Sequence, residues 1–404
     1  MKKPELLAPA GNMEKLRIAV HYGADAVYLG GKNYGLRNMA DNFTTAEMAE
    51  GVSHAHARGV KAYLTVNCYP DNADIAPLQR YLEEVGDIPF DAYIAADPGV
   101  IDMIAEVSPG RPIHLSTQAN TTNWRSARFW QRQGVSRINL AREMPLEGIR
   151  EVKERVDVEL EAFVHGAMCI SYSGRCLLSS MMAGREANRG ECAHPCRWSY
   201  SLVEETRPGE YFPVLQDDSG TFIFNSKDLC LLQFLPELVG SGVDSLKIEG
   251  RMKGIAYVAS VVRIYREALD RYFDDPADYR CREEWLAELC KISHRGYTTG
   301  FFLGQPRDLD LELHSRYVRS HDFVGLVEER LPDGSILVGV RNRLEVGETV
   351  EFIGRAMATS TILLQEMTTE AGEPLSVAHP NQRVRLRVPF AAAQYDMIRR
   401  EKCA

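Results

Sequence analysis

Four cysteines, Cys169, Cys176, Cys192 and Cys196, fall within 28 positions in the spacing C-x6-C-x15-C-x3-C. Thiols gathered this closely have three uses: disulfides, metal ligation, or none. Nothing in the chain signals secretion, and in a reducing compartment clustered cysteines serve as ligands more often than as disulfides. Structural zinc is usually held by two tight cysteine pairs. Here only Cys192 and Cys196 are tightly paired, and Cys169 and Cys176 lie further apart around Gly174. A wide, glycine-containing loop suits a [4Fe–4S] cluster held by four thiolates. From spacing alone, zinc and uncoordinated thiols stay open beside the cluster. The five other cysteines, Cys68, Cys230, Cys281, Cys290 and Cys403, are scattered and read as ordinary thiols, with Cys230 as a reserve ligand.

Other residues near this stretch carry charge or protons. His165, four positions before Cys169, is a general acid/base or proton-donor candidate. Its alternative is a histidine hydrogen-bonded beneath the loop. Arg142 and Arg251 have the forked guanidinium that matches a carboxylate or phosphate. Glu143 and Glu249 stand close to them in sequence, so structural ion pairs compete with that role. Arg185, Arg189 and Arg197 lie in the cysteine loop beside Tyr172 and Trp198, a mixture suited to phosphates and unpaired bases. Arg125, Arg128 and Arg132 with Trp124 and Trp130 form a second such set, weaker because helix-surface arginines are usually just solvated. No H-E-x-x-H or G-x-S-x-G occurs, so the common metalloprotease and serine-hydrolase signatures are absent.

A recurring phrase positions these residues. A helical pattern ends at glycine and an apolar strand follows, at Gly23, Gly59, Gly134 and Gly242. The glycine releases the helix in a left-handed conformation, and a largely apolar strand is buried on both faces, as in a parallel sheet. Eight strands are predicted: 5–8, 26–29, 62–66, 92–95, 113–116, 137–140, 159–164 and 245–248. Helices are predicted over 12–22, 45–58, 75–85, 101–107, 123–133, 146–155, 228–239 and 254–272. This alternation predicts an α/β fold, a (β/α)8 barrel. Strand C-termini then supply Asn67, Asp97, Gln118, Asn120, Arg142, Glu143, His165, Glu249 and Arg251 to a polar mouth above an apolar barrel. Roughly 80 residues separate strands seven and eight, far beyond an ordinary βα loop, and the cysteines lie there. Within that insertion 211–215 and 221–224 read as a hairpin.

The predicted domains are a barrel over 1–275 with its cysteine loop at 166–200, a helical connector over 276–320 and a small β-barrel over 321–390. Of the 404 residues 45% are hydrophobic and the net charge is −9, which argues against a nonspecific nucleic-acid coat but allows a local basic patch. No apolar run is long enough for a membrane span or signal peptide, so a cytoplasmic protein without membrane association is expected.

The segment Glu161-x-Phe163-x-x-Gly166-Ala167-Met168-Cys169-x4-Gly174-x-Cys176-x-Leu178-Ser179 resembles the signature of the peptidase U32, or collagenase-like protease, family. PELLAPAG, GADAVYLG, HLSTQANTTNW, NSKDL, SLKIEGR and HRGYTTGF resemble its tRNA hydroxylation branch. The resemblance implies a [4Fe–4S] cluster, tRNA as substrate, 5-hydroxyuridine formed at a wobble position, and prephenate, a dicarboxylate, as co-substrate. It also leaves two alternatives, a peptidase as the family name states and a non-catalytic cluster-bearing scaffold.

Overall fold

Eight parallel strands form, and they close on themselves. The computed structural model describes residues 2–32, 34–35, 41–169, 171–198, 201–203, 211–213, 227–304 and 318–402. In chain order they run β1 (Glu5–Pro9), α1 (Met13–His21), β2 (Ala26–Gly30), α2 (Thr45–His56), β3 (Lys61–Val66), α3 (Ile75–Val85) and β4 (Ala92–Ala95). Next come α4 (Pro98–Val107), β5 (Ile113–Leu115), α5 (Trp124–Arg132), β6 (Arg137–Asn139), α6 (Leu146–Arg155) and β7 (Glu159–Ala167). The insertion holds α7 (Leu178–Ala183), β8 (Ser201–Val203), β9 (Tyr211–Pro213), β10 (Asp228–Cys230) and α8 (Leu235–Gly240) before β11 (Ser245–Ile248). β11 pairs in parallel with both β1 and β7, which closes the barrel. All four repeat glycines have positive φ, between 70° and 103°, as the repeated phrase requires. No described helix is long and apolar enough to cross a membrane.

The barrel interior departs from the expected apolar filling. Leu7, Ala26, Tyr28, Tyr63, Ala92 and Ile94 form an apolar cluster contributed by the first four strands. The rest of the interior buries charge instead. Arg137 reaches Glu5 at 2.6 Å, Glu159 at 2.8 Å and Glu161 at 3.5 Å, and Lys247 reaches Glu161 at 2.7 Å. Tyr63 donates its hydroxyl to Glu5 at 2.8 Å. Burial alone would lower the Arg137 pKa, but Glu161 and Glu5 more than offset it and hold it raised. Side chains alternate along a strand, so a charged residue two positions from another in an otherwise apolar run, as in Glu159-x-Glu161, marks one face as polar.

The insertion also differs from its predicted form. Asp228–Cys230 is a strand, not the start of a helix over 228–239; α8 begins at Leu235. β7 runs on past its last contact with β6, at Glu161, and its protruding edge is covered antiparallel by β10, with Ala167 opposite Asp228 and His165 opposite Cys230. An uncovered edge would leave unpaired backbone groups, which is what overrides the helical pattern. Asp228 is further held by a buried ion pair with Arg295. Tyr211–Pro213 pairs antiparallel with Ser201–Val203; the other arm of the expected hairpin, 221–224, lies outside the described residues.

The chain divides into two compact units, and the division is not one cut in sequence. The first comprises Met1–Met13, Asp25–Met252 and His294–Tyr317; the second comprises Glu14–Ala24, Lys253–Ser293 and Val318–Ala404. The second unit includes α9 (Ile255–Asp274), α10 (Glu283–Lys291) and an antiparallel sheet. β12 (Tyr297–Thr298) belongs to the first unit, beside β10. In the second, β13 (His321–Arg330), β14 (Ile336–Val340), β15 (Leu344–Glu345), β16 (Thr349–Ile353), β17 (Thr359–Leu363), β18 (Thr368–Thr369), β19 (Val377–Ala378), β20 (Arg383–Leu386) and β21 (Met397–Glu401) follow in turn. Seven of them form one sheet in the order β17-β16-β21-β13-β14-β20-β18. The expected C-terminal β-domain is therefore present as a half-barrel around Val324, Val338, Val350, Leu364, Val384 and Ile398.

A buried ion cluster ties this unit together. Glu288 accepts from Arg399 at 2.8 Å, Arg263 at 3.1 Å and Lys291 at 2.7 Å. Burial would raise the Glu288 carboxyl, but Arg399 and then Lys291 pull it from 4.5 down to about 2. A carboxylate with a depressed folded pKa adds stability above its unfolded pKa and loses it as pH falls through the folded value. Calorimetry should show this unit's melting temperature falling between pH about 4.5 and about 2. The fall should be smaller in Glu288→Gln.

Candidate active site

The C-terminal ends of the strands form a cleft of about 1080 Å³, counting the part open to solvent. Tyr28, Thr65, Asn67, Ile94, Ser116, Thr117, Gln118, Asn139, Arg142, Phe163, Lys247, Glu249 and Arg251 line it from the barrel. The insertion supplies Ser171, Tyr172, Ser173, Gly174, Ala187, Asn188, His194 and all four clustered cysteines. Cys169, Cys176, Cys192 and Cys196 are thiols, not disulfides. Among the described residues, no three His, Cys, Asp or Glu side chains form a group that could hold a metal ion. Cys230 is buried in β10 and does not line the cleft.

Local interactions hold the insertion over the mouth. Ser173 donates its backbone N–H to Glu143 at 2.9 Å. Glu143 therefore clamps the cysteine loop. Gly174 has φ +73°, and a Cβ there would stand 2.1 Å from the carbonyl oxygen of Gln118. Only glycine permits this approach of backbone to backbone. Gly174→Ala should unseat the loop, seen as faster proteolysis between Met168 and Lys227 while the barrel fragment persists. On the far side, Arg189 pairs with Asp71 at 2.9 Å, Asp74 at 2.8 Å and Glu186 at 3.1 Å. Asn188 accepts at its carbonyl from the Tyr69 N–H at 3.2 Å.

The residues expected to act are placed unequally. Arg142 lines the cleft, its guanidinium 4.0 Å above the Phe163 ring and 3.8 Å from the Cys169 sulfur. Arg251 also lines it, but is buried and donates to Thr65 Oγ1 at 2.9 Å and Asn42 Oδ1 at 2.7 Å. Glu249 and Gln118 are at the cleft; Asn120, in a left-handed turn, is not among its lining. Asp97 caps α4, accepting from the N–H groups of Gly99 and Val100. His165 is fully buried with its ring 5.4 Å from Tyr297, and is not among the lining residues. The register between β7 and β11 shifts between Lys247 and Ile248, opposite Phe163 and His165, and such a bulge re-aims the side chains beyond it. Tyr172 and Trp198 are exposed near the cysteines, Tyr172 at the cleft itself. Arg189 is committed to carboxylates, Arg185 lies half-buried behind α7, and the Arg197 side chain lies outside the described residues.

Lys247 is a cleft residue that pattern reading missed. Its ammonium lies at the cleft, 4.7 Å from the Tyr28 ring centre and 5.5 Å from that of Phe163. Burial pushes it below its ordinary range; Glu161 opposes that fall, and Arg137 and Arg142 add to it. A lysine in the apolar strand Ser245-Leu246-Lys247-Ile248, at the position whose alternate neighbour faces inward, was the available signal.

Fold and site define a (β/α)8-barrel protein whose strand ends carry a cationic cleft capped by a thiol-bearing insertion. The chain belongs to peptidase family U32: the family model matches residues 11–312, and that of the U32 C-terminal domain matches 319–399. It is 44% identical over 405 residues to tRNA hydroxylation protein P1 of Bacillus subtilis, covering 99% of this chain and 96% of that protein. It is 37% identical over 420 residues to tRNA hydroxylation protein P of Escherichia coli, covering 94% and 92%. A collagenase of Porphyromonas gingivalis is 34% identical over 313 residues, 74% of each chain.

Proposed function

We propose that this protein is a tRNA-modification enzyme that takes part in converting a wobble uridine to 5-hydroxyuridine. The observation that carries the reading is the meeting in one cleft of four clustered thiols with Arg142 and Lys247, in a chain similar along nearly its whole length to tRNA hydroxylation proteins. Cys169, Cys176, Cys192 and Cys196, which all line the cleft, would hold the [4Fe–4S] cluster that the family resemblance indicates. Its four thiolates bind four separate irons, so they need not meet at one ion, as no three of them do here. When bound the cluster would supply redox chemistry beside the target base. The chain's own residues bind and orient. Arg142 and Lys247 hold the carboxylates of an anionic co-substrate, for which the family resemblance indicates prephenate. Glu161 fixes the Lys247 ammonium, and both cations approach the Phe163 ring. Tyr172 offers an exposed face for stacking the unpaired base.

The test is nucleoside analysis of tRNA from a deletion strain, with iron and sulfide content of protein purified without oxygen. Loss of 5-hydroxyuridine-derived nucleosides, restored by the intact gene, is expected. The collagenase relative motivates a peptidase as the second reading. Cleavage of a peptide library by iron-free protein, with unchanged tRNA nucleosides in the deletion strain, would establish that reading instead.

A further inference from the structure

The arginines of α5 are held differently from Arg189 of the cysteine loop. The loop arginine Arg189 is enclosed by three carboxylates. On α5, by contrast, Arg125, Arg128 and Arg132 have no carboxylate partner among the described residues. Two of them converge. The guanidinium of Arg125 lies 4.6 Å from the Trp124 ring centre and that of Arg128 4.8 Å, while Arg155 of α6 approaches the same ring at 5.1 Å. Arg155 has a partial counter-charge in Glu151 at 3.2 Å. Three cations around one ring lie within about 10 Å of one another, the Debye length at 0.1 M salt. One guanidinium suffices to cover a ring face, so a second and third add repulsion with little further gain. Such a cluster, in a chain of net charge −9, is relieved by a polyanion. Beside it Phe129 leaves 54% of its surface exposed, edge-on to Trp130.

We infer that α5, with Arg155, is a docking surface for the sugar–phosphate backbone of the RNA substrate, with Phe129 available to an unstacked base. The inference rests on the reading that the substrate is tRNA. α5 starts at Trp124, shortly after Gln118 at the cleft, so bound RNA is led from this surface toward the strand ends.

The experiment is fluorescence anisotropy of the full chain, prepared without oxygen, with a labelled anticodon stem-loop over a range of salt. Arg125→Gln/Arg128→Gln should weaken binding at least tenfold and make the plot of log affinity against log salt shallower by roughly one to two, since each phosphate contact contributes about 0.7–0.9 to the slope. Arg132→Gln, at the exposed end of the helix, repeats the measurement should the double variant melt early, with a slope reduced by about 0.7–0.9. Unchanged affinity and slope in both variants would overturn the inference. So would variants that keep RNA affinity while losing adsorption to anionic lipid vesicles. Failure of the functional reading looks different: the deletion strain keeps its nucleosides, whatever the binding curves show.

Discussion

Serine at Cys169, Cys176, Cys192 or Cys196 is expected to strip iron from the purified protein and abolish 5-hydroxyuridine formation. Each of these thiols lines the cleft, and a cluster that loses one thiolate ligand is generally lost. Cys281→Ser and Cys290→Ser should keep both properties, because those cysteines belong to the second unit. Cys230→Ser is the discriminating variant. Cys230 sits buried in β10 with no place in the cleft lining, so iron should survive. Iron lost with Cys230→Ser and kept with Cys196→Ser would transfer the fourth ligand position to β10.

Lys247→Met should weaken prephenate binding by at least about tenfold, measured by calorimetry on iron-replete protein. A charge-assisted hydrogen bond contributes roughly 1.5–3 kcal/mol net, and about 1.4 kcal/mol is a factor of ten. Arg142→Lys should fall short of wild type, since a point charge cannot make paired contacts. Because Lys247 is held below its ordinary range, anion affinity should decline with rising pH before a solvent-exposed lysine would titrate. Loss of that decline in Lys247→Met would assign it to this ammonium. Arg251→Ala should act differently, lowering thermal stability, because its guanidinium is engaged by Thr65 and Asn42. Wild-type prephenate affinity in Lys247→Met would remove lysine from the site.

The barrel was legible because its signals are local. Strands 92–95 and 245–248 and helices 75–85 and 146–155 fold with the bounds their patterns predict. Each is a short apolar or amphipathic run ended by a helix cap or turn. That the cysteines and Arg142 would come to the barrel mouth was legible too, since the former lie in the long insertion's loop and the latter at a strand's end. What stayed hidden depends on partners distant in sequence. Asp228–Cys230 carries a helical pattern and becomes a strand only because β7 protrudes. His165 follows a strand that reads as regular, yet a register shift against β11 turns it from the cleft. Arg251 looked free to bind a ligand until the loop carrying Asn42 came within 2.7 Å.

The pairing of Ala167 with Asp228 makes the insertion a stem and loop. The two ends of the excursion are fastened to each other, so the entropy of closing it is met at the stem and grows only slowly with its length. The chain then leaves and rejoins the barrel through a short two-stranded stalk, and Glu143, Gln118 and Asp71 hold what lies beyond it. Such a cassette is exchangeable: a donor insertion with a matching stem could be grafted onto this barrel, giving the same cationic floor a different lid and a different chemistry above it.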